Sequence, residues 1–222
     1  MFLLLTLYGT SNFLMAPNIA PFFGRVKIED SNRIKAHSII NQLFNRKYVS
    51  PKMQSVLNDI SLKVSKDLPG IKLIYLDANF PFFDGFPLFP HLSHNDGRKI
   101  DISFIYEDKE KKISNLKPSI SGYGIFEKPR KGEINQSLTC KQNGFWQYDF
   151  TKHLTLDSNY KDLRFSKSAT KTLINNILSN ANVSTVFIEP HLKNRINLNN
   201  SKIHFHGCRA VRHDDHIHFQ IH

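Results

Sequence analysis

Residues 213–221 read His-Asp-Asp-His-Ile-His-Phe-Gln-Ile, and polar and apolar side chains alternate in the second half of this stretch. Successive side chains of a β-strand point to opposite faces, so His216 and His218 share one face. The apolar residues on the other face are Ile217, Phe219 and Ile221. The pattern predicts a strand at 215–221 that packs on one face and carries histidines on the other.

A segment far upstream has the same design. Residues 91–101 read HLSHNDGRKID and run into an alternating stretch at 99–106. Asp101 lies opposite the predicted core face, which is formed by Ile100, Ile102 and Phe104. Residues 202–206 repeat the pattern, because His204 and His206 share the face opposite Ile203 and Phe205. A sheet with one helix-covered face and one open, histidine-lined face explains all three segments.

The rest of the chain mixes helices and strands. Residues 31–47 predict a helix capped by Asp30 or Ser31. Ser50-Pro51 begins a second helix, whose apolar stripe is Met53, Val56, Leu57, Ile60 and Val64. The other predicted elements are a strand at 71–77, a loop at 78–93, a helix at 168–181 capped by Ser168, a strand at 184–189, a helical turn at 190–196, and a hairpin of the strands at 202–206 and 215–221. This order predicts an α+β fold with a largely antiparallel sheet, helices on one face and the candidate site on the open face.

Composition limits the class of protein. The chain has 222 residues, 40% of them hydrophobic, which suits one domain with a packed core. A net charge of +11 favours an anionic partner such as nucleic acid, anionic lipid or an acidic polymer of a bacterial wall. No glycine-rich phosphate loop or nucleic-acid-binding motif accompanies the charge. Nucleic acid is therefore not expected as a partner.

Residues 1–24 carry no charged residue. They form a candidate membrane anchor or export signal, and the alternative is an apolar arm packed on the domain. Residues 25–222 are assigned to the domain that carries the candidate site, with a candidate insertion at 107–167. The aromatic residues Trp146 and Tyr148 of this insertion either form the wall of a substrate groove or belong to the core.

Cys140 and Cys208 are too few for a disulfide scaffold. A single bridge between them is one alternative and two free thiols are the other, because the spacing of two cysteines in a sequence does not give their distance in space.

The polar faces of the predicted strands gather metal-ligating residue types. Two imidazoles and one carboxylate, with a fourth position for water, are a common ligand set of catalytic zinc. Zinc lowers the pKa of bound water to about 7, and a nearby imidazole can move the proton. Asp214 or Asp215 is a candidate to orient a ligand histidine through its second ring nitrogen, and solvated strand-edge charges are the alternative.

Together the two motifs resemble the LAS zinc peptidases, and among them the penicillin-insensitive murein endopeptidases most of all. The first motif matches at His91, Ser93, His94, Gly97 and Asp101, and the second at His213, Asp214, Asp215, His216 and His218. Between them, FIEPHLK at 187–193 is similar to the family's segment before its last strands. The resemblance covers residues 87–106 and 184–221.

The resemblance implies one zinc ion per chain, held by His94, Asp101 and His218. It also implies His216 as general base or oxyanion donor and His213 as a further catalytic histidine. The residues expected around this centre or against the substrate are His91, Ser93, His206, Asp214 and Asp215. Residues 25–222 would then be a zinc peptidase-like domain.

The function implied is hydrolysis of peptide bonds in peptidoglycan, in a bacterial cell envelope, by a periplasmic or membrane-anchored enzyme. Two alternatives stay open: a D-alanyl-D-alanine carboxypeptidase or dipeptidase of the same superfamily, and a non-catalytic zinc-containing module that binds the cell wall. The chain departs from the family at Arg98 and Lys99, where acidic or small residues are usual, and in having only Cys208 near its C-terminus.

Overall fold

The structure of the chain is a computed structural model that describes residues 1–89, 91–158, 160 and 162–222. Pro90, in the predicted loop, and Asn159 and Lys161, in the candidate insertion, lie outside the described residues. The strands are β1 Val26–Lys27, β2 Ile34–Ala36, β3 Tyr48–Val49, β4 Leu73–Asp77, β5 Lys99–Ser103, β6 Tyr106–Glu107, β7 Ile113–Ser114, β8 Arg164–Phe165, β9 Val183–Phe187, β10 Ile203–His204 and β11 His216–Ile221. The α-helices are α1 Phe2–Thr10, α2 Ala16–Ile19, α3 Ile39–Leu43, α4 Pro51–Asp67, α5 Gln136–Gln142, α6 Lys167–Leu178 and α7 Pro190–Arg195.

The central sheet has six strands in the order β10-β9-β11-β5-β4-β2. Strand β11 lies between β9 and β5 and is antiparallel to both. The α+β class is confirmed, but the sheet is mixed rather than largely antiparallel, because β2 runs parallel to β4 and β10 runs parallel to β9. Helix α7 lies between β9 and β10 in the chain, and this crossover lets the two strands run in the same direction. The predicted hairpin is therefore wrong: β9 separates β10 from β11.

Helices α4 and α6 form one apolar core with the sheet. The stripe predicted on α4 is buried throughout, and Ser50 caps this helix by accepting a hydrogen bond from Met53 N at 3.2 Å. From the sheet, the core receives the residues predicted to face inward, including Ile100, Ile102, Ile217 and Phe219. The alternation in the sequence thus identified correctly which face of β5 and of β11 packs.

The helix predicted at 31–47 is wrong. Only α3 is helical there, while β2 pairs with β4 in the register Ile34↔Leu73. Asp30 accepts a hydrogen bond from Ala36 N at 2.9 Å and so fixes an extended segment rather than capping a helix. Tertiary strand pairing overrides the local helical pattern. The cap predicted at Ser168 is also displaced, since α6 begins at Lys167 with Ser166 as its N-cap.

Residues 107–167 contribute part of a small sheet with the order β7-β6-β8, helix α5, and a 3₁₀ segment at Trp146–Leu154. A disulfide joins Cys140 of α5 to Cys208, with 5.2 Å between their Cα atoms. The bridge ties this region to the loop that precedes β11. The division of the chain into an N-terminal segment, a domain and an insertion stays a prediction.

Residues 2–23 are helical, in a run of α, π and 3₁₀ turns. One face rests on the domain: Ala16 and Ala20 pack with Tyr48, and Asn12 Nδ2 donates to Leu43 O at 2.6 Å. The side chains of α1, which precedes these residues, are largely exposed and apolar. Among the described residues, no helix combines the length and the apolar character needed to span a membrane.

Candidate metal centre

Strands β5 and β11 place the first two residues of the centre. Their antiparallel register puts His218 directly beside Asp101, and His216 beside Ser103. Residues opposite each other in such a pair point to the same face. Asp101 and His218 therefore meet on the face opposite the apolar core, and the loop after β4 brings His94 to them.

Three atoms of these residues converge. Asp101 Oδ1 lies 2.9 Å from His218 Nδ1 and 3.1 Å from His94 Nε2, and the two nitrogens are 3.1 Å apart. His94 Nδ1 lies 3.1 Å from Ala78 O and donates to it, which leaves Nε2 as the lone-pair nitrogen of the neutral ring. All three side chains are buried. Lone pairs this close together are stable only around a shared cation or proton.

The other oxygen of Asp101 is engaged by the protein. Tyr123 donates its hydroxyl to Oδ2 at 2.8 Å, and His91 Nδ1 lies 2.8 Å from the same oxygen. Oδ1 therefore faces the histidines. Tyr123 was not predicted as a site residue, although it stands between two glycines with positive φ, 88° at Gly122 and 82° at Gly124. A Gly-Tyr-Gly stretch of that kind marks a tight turn that presents one aromatic side chain.

His91 bridges two carboxylates. Its Nδ1 lies 3.1 Å from Asp77 Oδ2 as well as beside Asp101, and Asp77 is itself paired with Arg46. Burial opposes protonation of the ring, but the two carboxylates outweigh it and raise the pKa of His91 to about 9. Asp77, the last residue of β4, and Arg46 are further site residues that sequence analysis did not identify.

A buried group of His91, His94 and Asp101 offers ligand atoms within 4.8 Å of one another, a spacing that can hold a metal ion. His218 meets the same carboxylate from β11, at the distances given above. Two of the predicted ligands thus belong to this group and the third adjoins it.

His216 lies at the edge of the same cluster. Its Nδ1 is 2.5 Å from Asp215 Oδ1, and its buried Nε2 is 3.7 Å from Asp101 Oδ1. Nε2 has no hydrogen-bond partner among the described residues. Asp215 is held in turn by Gly124 N, which donates to Oδ2 at 2.6 Å. Asp215 thus contacts His216, which is not one of the three predicted zinc ligands. That Asp214 or Asp215 orients a ligand histidine stays a prediction.

Asp214 has a different partner. Arg212 donates to its two oxygens at 2.6 and 2.5 Å, and the same guanidinium reaches Asp149 at 3.1 Å. This buried network fixes the backbone just before β11. Glu189, the N-cap residue of α7, also holds this backbone, since its Oε1 accepts from His213 N at 3.0 Å and from Tyr148 Oη at 2.5 Å. Arg212 and Glu189 were not identified from the sequence.

The remaining predicted residues surround the centre. The His213 ring lies 4.8 Å from the His216 ring and 5.1 Å from the His206 ring, measured between centroids. His206 stacks on Phe187 at 4.0 Å, and burial lowers the pKa of His206 to about 4. Ser93 lines the adjacent cavity together with His206 and His213.

That cavity has a volume of about 390 Å³. Its lining combines histidines of the cluster with a group of apolar residues and one arginine: Phe89, Leu92, Trp146, Phe150, Val211 and Arg209. Trp146 is 73% exposed at the rim, whereas Tyr148 is fully buried. Of the two aromatic residues considered for a groove wall, Trp146 lines the cavity and Tyr148 belongs to the core.

No protein-family model matches the chain, and comparison with curated protein sequences finds no significant relative.

Proposed function

We propose that the chain is a zinc-dependent peptidase that hydrolyses peptide bonds in peptidoglycan. The observation that carries the proposal is the convergence of Asp101 Oδ1, His94 Nε2 and His218 Nδ1 within 3.1 Å of one another. Two nitrogen ligands and one oxygen ligand leave the fourth position of a tetrahedral zinc open. Structural zinc sites, in contrast, close that position with a fourth protein ligand.

We assign the ligands to His94, Asp101 and His218 rather than to His91. His91 Nδ1 lies between Asp77 and the far oxygen of Asp101, so it acts as a donor to carboxylates. His218 instead presents a nitrogen to the oxygen that faces His94. A hydrogen-bond donor behind a ligand carboxylate orients that ligand, and this is the role that we assign to His91 and Tyr123.

Zinc bound there would polarise a substrate carbonyl and supply a water of lowered pKa. His216 is the candidate proton carrier, since Asp215 engages its Nδ1 and leaves Nε2 directed at the centre. With Nε2 free, the ring can accept a proton and pass it to a leaving amine. His213, in ring contact with His216, is the second candidate for contact with the reacting groups.

The resemblance of both motifs to murein endopeptidases supports peptidoglycan peptides as the substrate. The apolar rim of the cavity suits a peptide, and the net charge of +11 suits an anionic wall polymer. We further propose a location in a bacterial cell envelope, with residues 1–24 associating with the membrane through the exposed apolar side chains of α1.

The test combines zinc content with digestion of muropeptides, with and without a chelator, resolved by mass. We expect one zinc per chain and chelator-sensitive loss of cross-linked dimers. His218→Ala should lose zinc and His216→Ala should keep zinc but lose turnover. His204→Ala is the matched control, because His204 is exposed on β10. Zinc bound without any product would refute the peptidase and favour a cell-wall binding module.

One observation favours a second candidate, a D-alanyl-D-alanine carboxypeptidase or dipeptidase. Such enzymes need a cation for the terminal carboxylate, and Arg209 lines the cavity beside His206 and His213. Release of terminal D-alanine, rather than loss of dimers, in the same digestion would decide for this candidate. Arg209→Gln should then raise KM for a peptide that ends in D-alanyl-D-alanine.

A further inference from the structure

A second cavity, of about 450 Å³, opens where β2 forms the edge of the central sheet. Its lining comes from β2 and the residues that follow it to 39, from Lys72 and Ile74 at the beginning of β4, from 115–120 and from Tyr160. None of these residues lines the cavity at the metal centre. Three lysines, Lys35, Lys72 and Lys117, are part of this lining. The described lining contains no carboxylate.

None of these three lysines forms an ion pair in the described part of the chain, whereas Lys99 and Lys141 lie 2.5 and 2.6 Å from Asp96 and Asp149. Asp30 Oδ1 accepts a hydrogen bond from Ala36 N, and Asp30 does not line the cavity. Like charges gathered around one space repel each other, and an anion placed between them removes that repulsion.

The imidazole of His37 lies in the same cavity, and its Nε2 donates a hydrogen bond to Ser119 O at 3.0 Å. Burial lowers the pKa of His37, the backbone hydrogen bonds to Ser119 and Ile120 act in the opposite sense, and the charges of Lys117 and Lys35 lower the pKa further. Lys117 is buried, with its ammonium 2.9 Å from Phe104 O.

A polar group without a partner also points to a ligand. Ser119 is 1% exposed, lines the cavity, and its hydroxyl has no hydrogen-bond partner among the described residues. A buried hydroxyl that lacks a partner has lost its hydrogen bonds to water without replacement, and a ligand oxygen would restore one. Ammonium groups and a hydroxyl together are donors suited to an oxyanion.

We propose that this cavity binds a small multivalent oxyanion of the phosphate type, held by Lys35, Lys72 and Ser119. The site is separate from the metal centre, and the inference does not rest on the proposed peptidase activity. The shared chemistry is a dianionic phosphate group, either free or carried by a larger molecule.

The experiment is calorimetric titration of the full chain with inorganic phosphate and with glycerol 3-phosphate. Treatment with a chelator beforehand leaves no metal to which phosphate could bind. We expect saturable binding in the millimolar range or tighter, and the tighter of the two ligands identifies whether the group is bound free or as an ester. Absence of saturable binding of both ligands would overturn the proposal.

Variants locate the binding. Lys35→Gln and Lys72→Gln should each weaken binding about tenfold, the effect of one charge-assisted hydrogen bond. The matched control is Lys66→Gln, because Lys66 is exposed on α4 and its loss changes the net charge equally. An equal effect of Lys66→Gln, or no effect of Lys72→Gln, would overturn the proposal. Ser119→Ala, which leaves the charge unchanged, should also weaken binding while the circular dichroism spectrum stays that of the wild type.

Discussion

The two oxygens of the Asp101 carboxylate have different partners. Oδ2 is held by Tyr123 and His91, and Oδ1 faces His94 and His218. A carboxylate anchored through one oxygen keeps the other in a fixed direction. Affinity for metal should therefore depend on side chains that do not touch the metal.

Tyr123→Phe tests this dependence. Removing the hydroxyl frees Asp101 Oδ2 on one side, and we expect zinc affinity to fall about tenfold or more, measured by competition with a chromogenic chelator. Tyr48→Phe is the control, because the buried Tyr48 hydroxyl has no partner in the described part of the chain. Equal zinc affinity of Tyr123→Phe and wild type would refute the positioning role.

Asp215→Asn tests the proposed role of His216 as proton carrier. The change replaces the carboxylate beside His216 Nδ1 with an amide, so the ring loses its fixed orientation. We expect turnover of muropeptides to fall about 10²-fold or more, with zinc content unchanged. Asp162→Asn, at a carboxylate 71% exposed, should have wild-type turnover. Loss of zinc from Asp215→Asn would instead make Asp215 part of the metal site.

The disulfide is the covalent link between two elements near the cavity. It joins α5 to the loop that supplies His206 and Arg209 across 68 residues of chain. Closing a loop of that length lowers the entropy of the unfolded chain and contributes about 4 kcal/mol. Reductant should therefore lower the free energy of unfolding, measured with urea.

The double variant Cys140→Ser with Cys208→Ser is the control for this experiment. Its stability should match that of the reduced wild type and should not respond to reductant. A wild type whose unfolding midpoint ignores reductant would show that the bridge does not form in solution.

Helix α1 exposes several leucine side chains. Contact of these apolar side chains with water does not stabilise a monomer. Leu4 is 70% and Leu7 is 59% exposed. Burying one leucine in a bilayer contributes about 1.5–3 kcal/mol. Leu4→Glu with Leu7→Glu should thus weaken sedimentation with anionic lipid vesicles by more than tenfold. Leu62→Glu, at a leucine 50% exposed on α4, should bind as the wild type does. If the wild type does not sediment with vesicles, the proposed membrane association is wrong.

Stability of the whole molecule should depend on Lys117. Burial lowers its pKa to about 7 in the folded state, against the ordinary value of 10.5. Between these two values the unfolded chain binds a proton that the folded chain does not, so the free energy of unfolding rises with pH across this window. Below pH 7 the contribution of Lys117 no longer changes with pH. The slope is about 1.4 kcal/mol per pH unit at most.

Lys117→Met removes this dependence. We expect the variant to be more stable than the wild type at pH 7, and the difference to shrink as the pH rises toward 10, measured by urea denaturation at each pH. Comparing the two proteins cancels the titration of all other groups. A difference that stays constant with pH would show that Lys117 titrates normally in the folded protein.

The sequence predicted elements best where the pattern is local. Helix α4 follows from Ser50-Pro51 and its apolar stripe, and the faces of β5 and β11 follow from their alternation. The helix predicted from the sequence at residues 31–47 is wrong, because pairing of β2 with β4 decides the structure there. Strand order in the sheet failed for the same reason, because pairing partners far apart in the chain leave no local signal.

Sequence alone determined that Asp101, His216 and His218 lie on faces opposite the core, because the two-residue period of a strand fixes this whatever the partner strand is. Tertiary structure decided that His218 stands beside Asp101, since the register of β11 on β5 sets that distance. It also decided that Tyr123, Asp77 and Arg46 support the centre. These residues come from separate segments of the chain, and only folding brings them within hydrogen-bond distance.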